Sequence, residues 1–456
     1  MSSSPPIDPQ ILALATHLHR ELRPAWTQLQ RPQPWPLEEA ATPPADGWTA
    51  ASWPASLQGR RCELIVEASD GAAIEAGLHS GADAVVLDLD DVFSPRHGNL
   101  ERAYRHFQQV AARPFPLLTR VRPLAHQERR VLLDGAPAIA GLLDLAAWAW
   151  CFRERETVLY LPKLDTLPEA ALWRDALQLT ERWLGRPAHS LRVCLQIETL
   201  PGLLQAGALL HTLRDYAYGL NAGRWDYVFS CVKHRPEWPF PERARLGMDQ
   251  PSMQAYARQI VAVCRQYGAE PVGGTAAVAP DPHDPGPALA AVLADKQREA
   301  RQGYTSAWAG LPELVGSVQA GFQGVQVHPE LSSPTRDELL DIPAATSLPD
   351  EAAQDAIGVA LAVFAAWLDG RGYVARLGRI EDTATAELSR ALLWNWVRHG
   401  LLTEARYLQL RRTQADDEMP AARLLDRLVL NEACAPYFPE VAEAMVPEAP
   451  DGTSPL

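Results

Sequence analysis

The sequence of 456 residues has few features of a secreted, membrane-bound or nucleic-acid-binding protein. Its six cysteines are scattered and none forms a CxxC pair, so we predict reduced thiols rather than a disulfide framework or a zinc site. Positive charge is scarce, since 42 Lys and Arg stand against 56 Asp and Glu for a net charge of −14. A nucleic acid or an anionic membrane needs a clustered positive surface, so neither is an expected partner.

Several other signals are missing. No apolar run approaches the ~20 residues of a membrane-spanning helix. The chain does not start with a basic segment followed by an apolar block, which predicts a cytoplasmic protein. Walker, GxGxxG, HExxH and GxSxG motifs are all absent, which argues against a nucleotide-phosphate loop, a zinc protease helix and a serine-hydrolase elbow.

The sequence does contain a regular alternation of short apolar runs with longer helical patterns. An apolar stripe over 11–29 predicts an N-terminal helix. Eight candidate strands follow, at 62–68, 83–89, 116–122, 157–163, 191–198, 225–230, 269–275 and 322–328. Apolar strands that alternate with helices are typical of a parallel sheet buried on both faces. Eight such units predict an α/β fold of the TIM (β/α)₈ barrel type, with a doubly wound open sheet as the alternative.

Composition divides the sequence into four parts. Residues 1–60 combine an amphipathic helix with a Pro-rich stretch and form an N-terminal helical appendage. The barrel is predicted over 61–335. Apolar residues then repeat at helical spacing, which predicts an all-helical domain over 336–446. A loose tail, 447–456, ends the sequence.

Polar residues cluster where the predicted strands end or begin. They are Asp88, Asp90, Asp91, Arg120, Arg122, Lys163, Asp165, Glu198 and Asp226. In a TIM barrel the carboxyl ends of the strands meet at one rim, so these side chains are expected to converge there. Carboxylates with an arginine suit a hard cation and an anion. Any single one of these acids also suits loop solvation or a helix N-cap.

Four longer motifs carry a resemblance to a known family. They are LPKLDTLPEAALW (161–173), IETLPG (197–202), LRDYAYGLNAGRWDYVFSCVK (213–233) and IEDTATAELSRALLWNWVRHG (380–400). With further segments in the same order, they resemble the A type of malate synthase, in which one polypeptide forms the enzyme, over nearly the whole sequence. The resemblance implies a TIM barrel with an N-terminal helical clasp and a C-terminal helical plug domain.

The resemblance also implies a reaction, the Mg²⁺-dependent condensation of acetyl-CoA with glyoxylate and water to give malate and CoA in the glyoxylate bypass. The residues that it matches to metal ligands are Glu198 and Asp226, and those that it matches to catalytic groups are Arg122 and Asp382. In this assignment Asp382 takes a proton from the methyl group of acetyl-CoA, and Arg122 stabilises the enolate oxygen.

A wider set of residues is assigned to the substrates by the same resemblance. Those near the metal or glyoxylate are Asp90, Asp91, Gly223, Arg224 and Trp225, and those of the acetyl-CoA region are Gly274, Thr275, Trp308, Pro312 and Glu381. Three positions depart from the family pattern, because Pro123 replaces glycine, Thr275 replaces methionine and Leu311 replaces histidine. These departures bear on the choice of acyl-CoA more than on metal binding.

Two alternatives stay open. The GFQG run at 321–324 before a His-Pro pair is similar to the CoA-ester lyase barrels related to the citrate lyase β-subunit. It favours a Mg²⁺-dependent lyase or synthase that acts on a malyl-CoA-like thioester. A paralogue without catalysis is the other alternative, but such a protein is expected to lose at least one of the four catalytic and metal residues.

Overall fold

A computed structural model of the protein describes residues 7–30, 40–45, 47–327 and 332–446. Its centre is a closed barrel of eight parallel strands: β1 (Cys62–Glu67), β2 (Ala84–Asp88), β3 (Leu117–Arg120), β4 (Thr157–Leu161), β5 (Leu191–Ile197), β6 (Ala217–Ala222), β7 (Glu270–Ala276) and β8 (Ser306–Ala309). Each strand pairs with its neighbours in sequence, and β8 closes the barrel on β1. The predicted TIM barrel is therefore confirmed.

Helices surround the barrel and continue beyond it. They are α1 (Pro9–Leu29), α2 (Gly71–Leu78), α3 (Asn99–Val110), α4 (Ala140–Cys151), α5 (Leu167–Leu184), α6 (Leu200–Leu204), α7 (Ala206–Thr212), α8 (Arg224–His234), α9 (Pro251–Tyr267), α10 (Gly286–Gln302), α11 (Val315–Gly321), α12 (Arg336–Leu340), α13 (Asp350–Leu368), α14 (Thr383–Arg398), α15 (Glu404–Arg412), α16 (Pro420–Val429) and α17 (Phe438–Met445). Two hairpins lie outside the barrel sheet, Gln127–Leu133 with Ala136–Ile139 and Val374–Arg376 with Arg379–Glu381.

Two of the eight predicted strands are wrong. Residues 225–230 lie in helix α8, and the sixth barrel strand is β6. Residues 322–327 form no strand, and the eighth barrel strand is β8; residue 328 lies outside the described part of the sequence. The helix α8 is buried along most of its length, including Tyr227 and Cys231, so its apolar run has no clear helical period. The small residues of β6 and β8 give only a weak strand signal.

Side chains alternate across the barrel wall. In β1, Ile65 belongs to the cluster that fills the barrel, whereas Leu64 packs outward beneath the helices. The same alternation turns Glu63 and Glu67 inward. Glu63 accepts a hydrogen bond from the Tyr160 hydroxyl inside the barrel at 2.7 Å. Glu67 lies at the last position of the strand and so faces the mouth of the barrel.

Helix α1 packs on α4 and α5, outside the barrel. Asp8 caps its first turn, and its buried stripe ends at Trp26, whose indole N–H donates a 2.6 Å hydrogen bond to the Leu124 carbonyl. The Pro-rich stretch 31–39 and the tail 447–456 lie outside the described residues. The predicted domain boundaries stay predictions.

Helix α13 is the longest apolar helix of the C-terminal region. By length and composition it qualifies as a membrane span, although no such run was expected from the sequence. Of its most apolar window, 61% is buried inside the protein, and it packs against α14, α15 and α16. A core helix has the same composition, and this burial accounts for the apolar run.

The C-terminal region docks on the mouth of the barrel. The Thr383 amide donates a 3.1 Å hydrogen bond to the Asp91 carbonyl. Gly372 lies so close to Val92 that a Cβ atom there would overlap the Val92 carbonyl. These contacts hold Asp382, the residue that caps α14, over the carboxyl ends of the barrel strands.

Candidate active site

Three buried carboxylates converge at the rim of the barrel. Asp91 follows β2, Glu198 follows β5, and Asp226 lies in the first turn of α8, just after β6. Each offers one oxygen, and these oxygens lie within 4.8 Å of one another. Asp226 therefore does not begin a strand, as its predicted place in 225–230 required, but it still reaches the rim.

Lys163 lies among these acids. Its ammonium is 2.6 Å from Asp90 and 2.9 Å from Asp91, and it approaches Asp226 and Glu198 to 3.5 and 3.8 Å. Its backbone has a φ of 54°, in the left-handed region, and its amide donates a 2.9 Å hydrogen bond to Glu198. The Lys163 amide thus holds the Glu198 carboxylate in place, and the Lys163 ammonium neutralises part of the negative charge of the neighbouring acids.

The single positive charge of Lys163 does not neutralise the negative charges of the surrounding carboxylates. Burial, and then the charge of Asp91, raise the pKa of Asp226, and burial also raises the pKa of Glu198. Burial acts on Asp91 in the same direction, but Lys163 and Arg120 outweigh it and lower the pKa of Asp91 to about 2. Within the described residues, Asp226 Oδ1 is buried and accepts no hydrogen bond. Crowded oxygen donors of this kind fit a divalent hard cation.

Gly223, Arg224 and Trp225 form the wall beside the carboxylates. A Cβ atom at Gly223 would overlap the Glu198 carboxylate, so glycine is required there. The Trp225 ring has the guanidinium groups of Arg224 and Arg243 at 4.7 and 4.6 Å from its centroid. All three predicted residues line a small cavity of about 60 Å³ that also touches Glu198, Asp226, Arg120 and Asp382.

Arg120 lies at this cavity and Arg122 does not. Arg120 donates hydrogen bonds to Asp88 at 2.7 Å and to Asp91 at 2.6 Å. The Arg122 guanidinium is instead held by Asp144 and Glu128, each at 2.8 Å. Arg122, the residue predicted as the catalytic arginine, thus lies away from this cavity, and Arg120 lines it.

The period of strand β3 explains why Arg120, and not Arg122, reaches the cavity. Leu118 of β3 is part of the cluster inside the barrel. Arg120, two residues on, therefore has the same inward direction at the end of the strand. Arg122 lies beyond the strand end, where the alternation no longer applies. The signal for Arg120 is thus present in the sequence, in the inward and outward alternation of β3.

Asp382 reaches the same cavity from the C-terminal region. As the cap of α14 it accepts a 3.1 Å hydrogen bond from the Thr385 amide, and the Thr385 hydroxyl accepts one from the Asp382 amide in return. Burial, and then the charge of Asp91, raise the pKa of Asp382 to about 7. The structure thus places a carboxyl group of near-neutral pKa at the cavity wall that also carries Arg120.

A larger cavity of about 190 Å³ opens from this point. It is lined by Arg120, Asp382, Asp91 and, from the predicted acetyl-CoA residues, Thr275 and Pro312. Leu311 lines it too. Most of its other lining residues are apolar, which suits a long and partly apolar ligand.

Three of the predicted acetyl-CoA residues lie outside this cavity. Trp308 is buried in the barrel, where its indole N–H donates to Glu63 at 3.0 Å and its ring lies 5.3 Å from the Arg120 guanidinium. Glu381 is buried and pairs with Arg243 at 2.7 Å. The Gly274 carbonyl accepts a hydrogen bond from Lys296 of α10, and the Gly274 amide donates one to Glu299 of the same helix.

Asp90 is not part of the carboxylate cluster formed by Asp91, Glu198 and Asp226. It pairs with Lys163 and lines a separate small cavity with Arg122 and His126, between the barrel and α17. Three residues of this region carried no predicted role: Arg120, Lys163 and Glu67. Lys163 and Arg120 lie at the ends of the predicted strands 157–163 and 116–122, so their position alone was a signal; Glu67 had none beyond its place at the end of β1.

Comparisons with known proteins agree with this architecture. Family models described as "Malate synthase, TIM barrel domain" and "Malate synthase, C-terminal" match residues 116–344 and 349–442. The sequence is 32% identical over 427 residues to malate synthase of Oryza sativa subsp. japonica, covering 83% of this sequence and 75% of that protein. It is also 32% identical over 401 residues to malate synthase A of Escherichia coli, covering 79% and 74%.

A solved structure supports the fold alone. Haloferax volcanii malate synthase, in a ternary complex with pyruvate and acetyl-CoA, superposes with a TM-score of 0.52 at 14% sequence identity. The match covers 81% of this protein and 96% of that one.

Proposed function

Since the chain belongs to the malate synthase family, its activity joins an acetyl group to glyoxylate, and we propose that residues at the carboxyl end of its barrel carry out each step. The reaction consumes acetyl-CoA, glyoxylate and water and forms malate and CoA. One observation carries the assignment of roles: Arg120 and Asp382 share a cavity wall beside the cluster of Asp91, Glu198 and Asp226.

Asp91, Glu198 and Asp226 are the proposed ligands of Mg²⁺. They supply only oxygen donors, which Mg²⁺ prefers, and the buried Asp226 oxygen without a hydrogen bond has the character of a free ligand. The ion, when bound there, polarises the aldehyde of glyoxylate. Asp91 joins the two ligands that the family resemblance implies.

Asp382 is the proposed base. One of its oxygens accepts the Thr385 amide hydrogen bond, which orients the carboxylate toward the cavity. It takes a proton from the methyl carbon of acetyl-CoA, and the electron pair of that C–H bond moves toward the thioester oxygen. A buried carboxyl group with a raised pKa is a stronger base than an exposed one.

Arg120 is the proposed partner of the enolate oxygen. Its three hydrogen bonds to Asp88 and Asp91 hold the guanidinium in place before the substrate arrives, so little reorganisation is needed as negative charge develops. The methyl carbon then bonds to the aldehyde carbon of glyoxylate, the thioester carbonyl re-forms, and the electron pair of the aldehyde C=O bond moves to its oxygen, which takes up a proton and becomes the hydroxyl group of malate. Water finally attacks the thioester carbonyl, the C–S bond breaks, and the thiol of CoA leaves.

The cavity of about 190 Å³ is the proposed path of the acyl-CoA arm, because it opens at Arg120 and Asp382. Two broader proposals accompany the reaction. The enzyme serves the glyoxylate bypass, and it acts in the cytoplasm. The second is supported by its six free cysteines, four of them buried, which suit a reducing compartment.

A thiol-release assay tests the proposed function. CoA is expected to appear only when acetyl-CoA, glyoxylate and Mg²⁺ are all present, and EDTA is expected to stop its release because the carboxylates alone do not polarise the aldehyde. Propionyl-CoA and other 2-oxo acids define the substrate preference. Release of glyoxylate from malyl-CoA without release of CoA would instead indicate a lyase, and CoA release that persists in EDTA would contradict the metal site.

A further inference from the structure

Glu67 lies at the mouth of the barrel, on the opposite side from Glu198. It ends β1, which is four strands away from β5 in a barrel of eight, and Glu198 follows β5. Glu67 therefore lies across the mouth from Glu198. It lines the cavity of about 190 Å³ whose wall also includes Arg120 and Asp382.

The Glu67 carboxyl group is buried, and the charge of Arg102 acts on it without forming an ion pair among the described residues. It is 9% exposed, and its one recorded hydrogen bond comes from the Ser69 hydroxyl at 2.6 Å. Among the residues that the structure describes, no Lys, Arg or His forms an ion pair with it, whereas the inward Glu63 of the same strand pairs with Arg60. Burial raises the pKa of Glu67 to about 7.

An unpaired carboxyl group in this place is costly for folding alone. Burial of a polar group without enough hydrogen-bond partners destabilises a folded protein. The cavity wall around Glu67 includes the apolar residues Ile65, Ala76, Val92 and Ile380, and the other charged residues of that wall are Arg120, Asp91 and Asp382. A ligand that leaves water for this cavity needs a partner there for each of its polar groups. Glu67 supplies one such partner.

We propose that Glu67 binds an amide group of the pantetheine arm of the acyl-CoA, and that it thereby sets the affinity for the thioester substrate. The arm consists of methylene groups interrupted by two amides, which matches a largely apolar cavity whose wall carries Glu67 in addition to Arg120, Asp91 and Asp382, the residues already assigned to the metal and the reacting atoms. The inference rests on the proposed function, since the cavity then receives acyl-CoA. Glu67 is a binding residue and takes no part in the bond changes.

Three variants test this role. Glu67→Leu removes the hydrogen bond, Glu67→Gln keeps a hydrogen-bonding group of equal size, and Glu75→Leu is a matched control because Glu75 is a half-exposed residue of α2 paired with Arg113. We expect Glu67→Leu to raise the KM for acetyl-CoA by about tenfold, the effect of one lost buried hydrogen bond. Its KM for glyoxylate and its kcat should each change by less than about twofold, because Glu67 is not among the proposed metal ligands and takes no part in the bond changes.

Two further measurements separate binding from structural damage. Calorimetric titration with CoA should give a dissociation constant that rises in Glu67→Leu in parallel with KM, and Glu67→Gln should recover most of the affinity. Thermal unfolding should show no loss of stability in Glu67→Leu, because the substitution removes an unpaired buried acid. An unchanged KM for acetyl-CoA in Glu67→Leu, or an equal loss for glyoxylate, would overturn the proposal. Failure of the wild-type enzyme to form malate would overturn the proposed function itself.

Discussion

An Asp382→Asn enzyme is expected to lose about a thousandfold in kcat, within the range attributed to a positioned general base. Asparagine has the same shape as aspartate but does not accept the methyl proton. Its amide oxygen still accepts the Thr385 hydrogen bond that caps α14, so the helix and the fold are retained. The loss is therefore chemical.

Binding measurements distinguish this result from a general defect. Calorimetry should find Mg²⁺ and glyoxylate affinities within about threefold of the wild type, since the carboxylate cluster is untouched. Exchange of the acetyl-CoA methyl protons with deuterated water, followed by NMR, should disappear with kcat. Asp369→Asn, at a carboxylate with a side chain 72% exposed, is the control. Near-normal kcat in Asp382→Asn would exclude Asp382 as the base.

Arg120→Lys is expected to lower kcat, whereas Arg122→Lys is expected to lower stability. In Arg120→Lys the charge remains, but a lysine does not reproduce the planar fork that spans Asp88 and Asp91. The guanidinium is then no longer held for the enolate oxygen, and kcat should fall by about a hundredfold, similar to the loss of one oxyanion donor. Steady-state kinetics with saturating acetyl-CoA and glyoxylate measures this fall.

Arg122→Lys should instead lower stability and leave the chemistry intact. Its partners Asp144 and Glu128 are buried, and a lysine leaves part of their hydrogen-bonding capacity unmet at a cost of about 1–3 kcal/mol. The melting temperature should therefore fall while kcat stays within about threefold at a temperature where the protein is folded. A hundredfold loss of kcat in Arg122→Lys, with Arg120→Lys nearly normal, would restore the role that the motif first suggested for Arg122.

The sequence predicted the barrel because six of its strands are apolar runs of four to seven residues bounded by helical patterns. It failed at β6 and β8, where small residues give little strand signal, and at α8, whose burial along its length hides the helical period. Period-two alternation within a known strand was the signal that would have selected Arg120 over Arg122. Motif matching alone does not contain that signal, because both arginines belong to the same short motif.

The site itself was predictable only in part. Glu198 follows from a charge placed directly after an apolar strand, Asp226 from an acid between Trp225 and Tyr227, and both from the family resemblance. The position of Asp382 over the barrel depends on contacts distant in sequence, such as Thr383 with Asp91 and Gly372 with Val92. The role proposed for Glu67 depends on the shape of a cavity formed by several elements. Local sequence patterns carry no information about such contacts.

Product analysis with acetyl-CoA labelled with carbon-13 at the methyl group tests the central claim most directly. NMR of the mixture with glyoxylate and Mg²⁺ should place the label in the methylene carbon of free malate, with one CoA released for each malate formed. That outcome requires both the carbon–carbon bond and the hydrolysis of the thioester. Label found in acetate, or retained in malyl-CoA without free malate, would contradict the account.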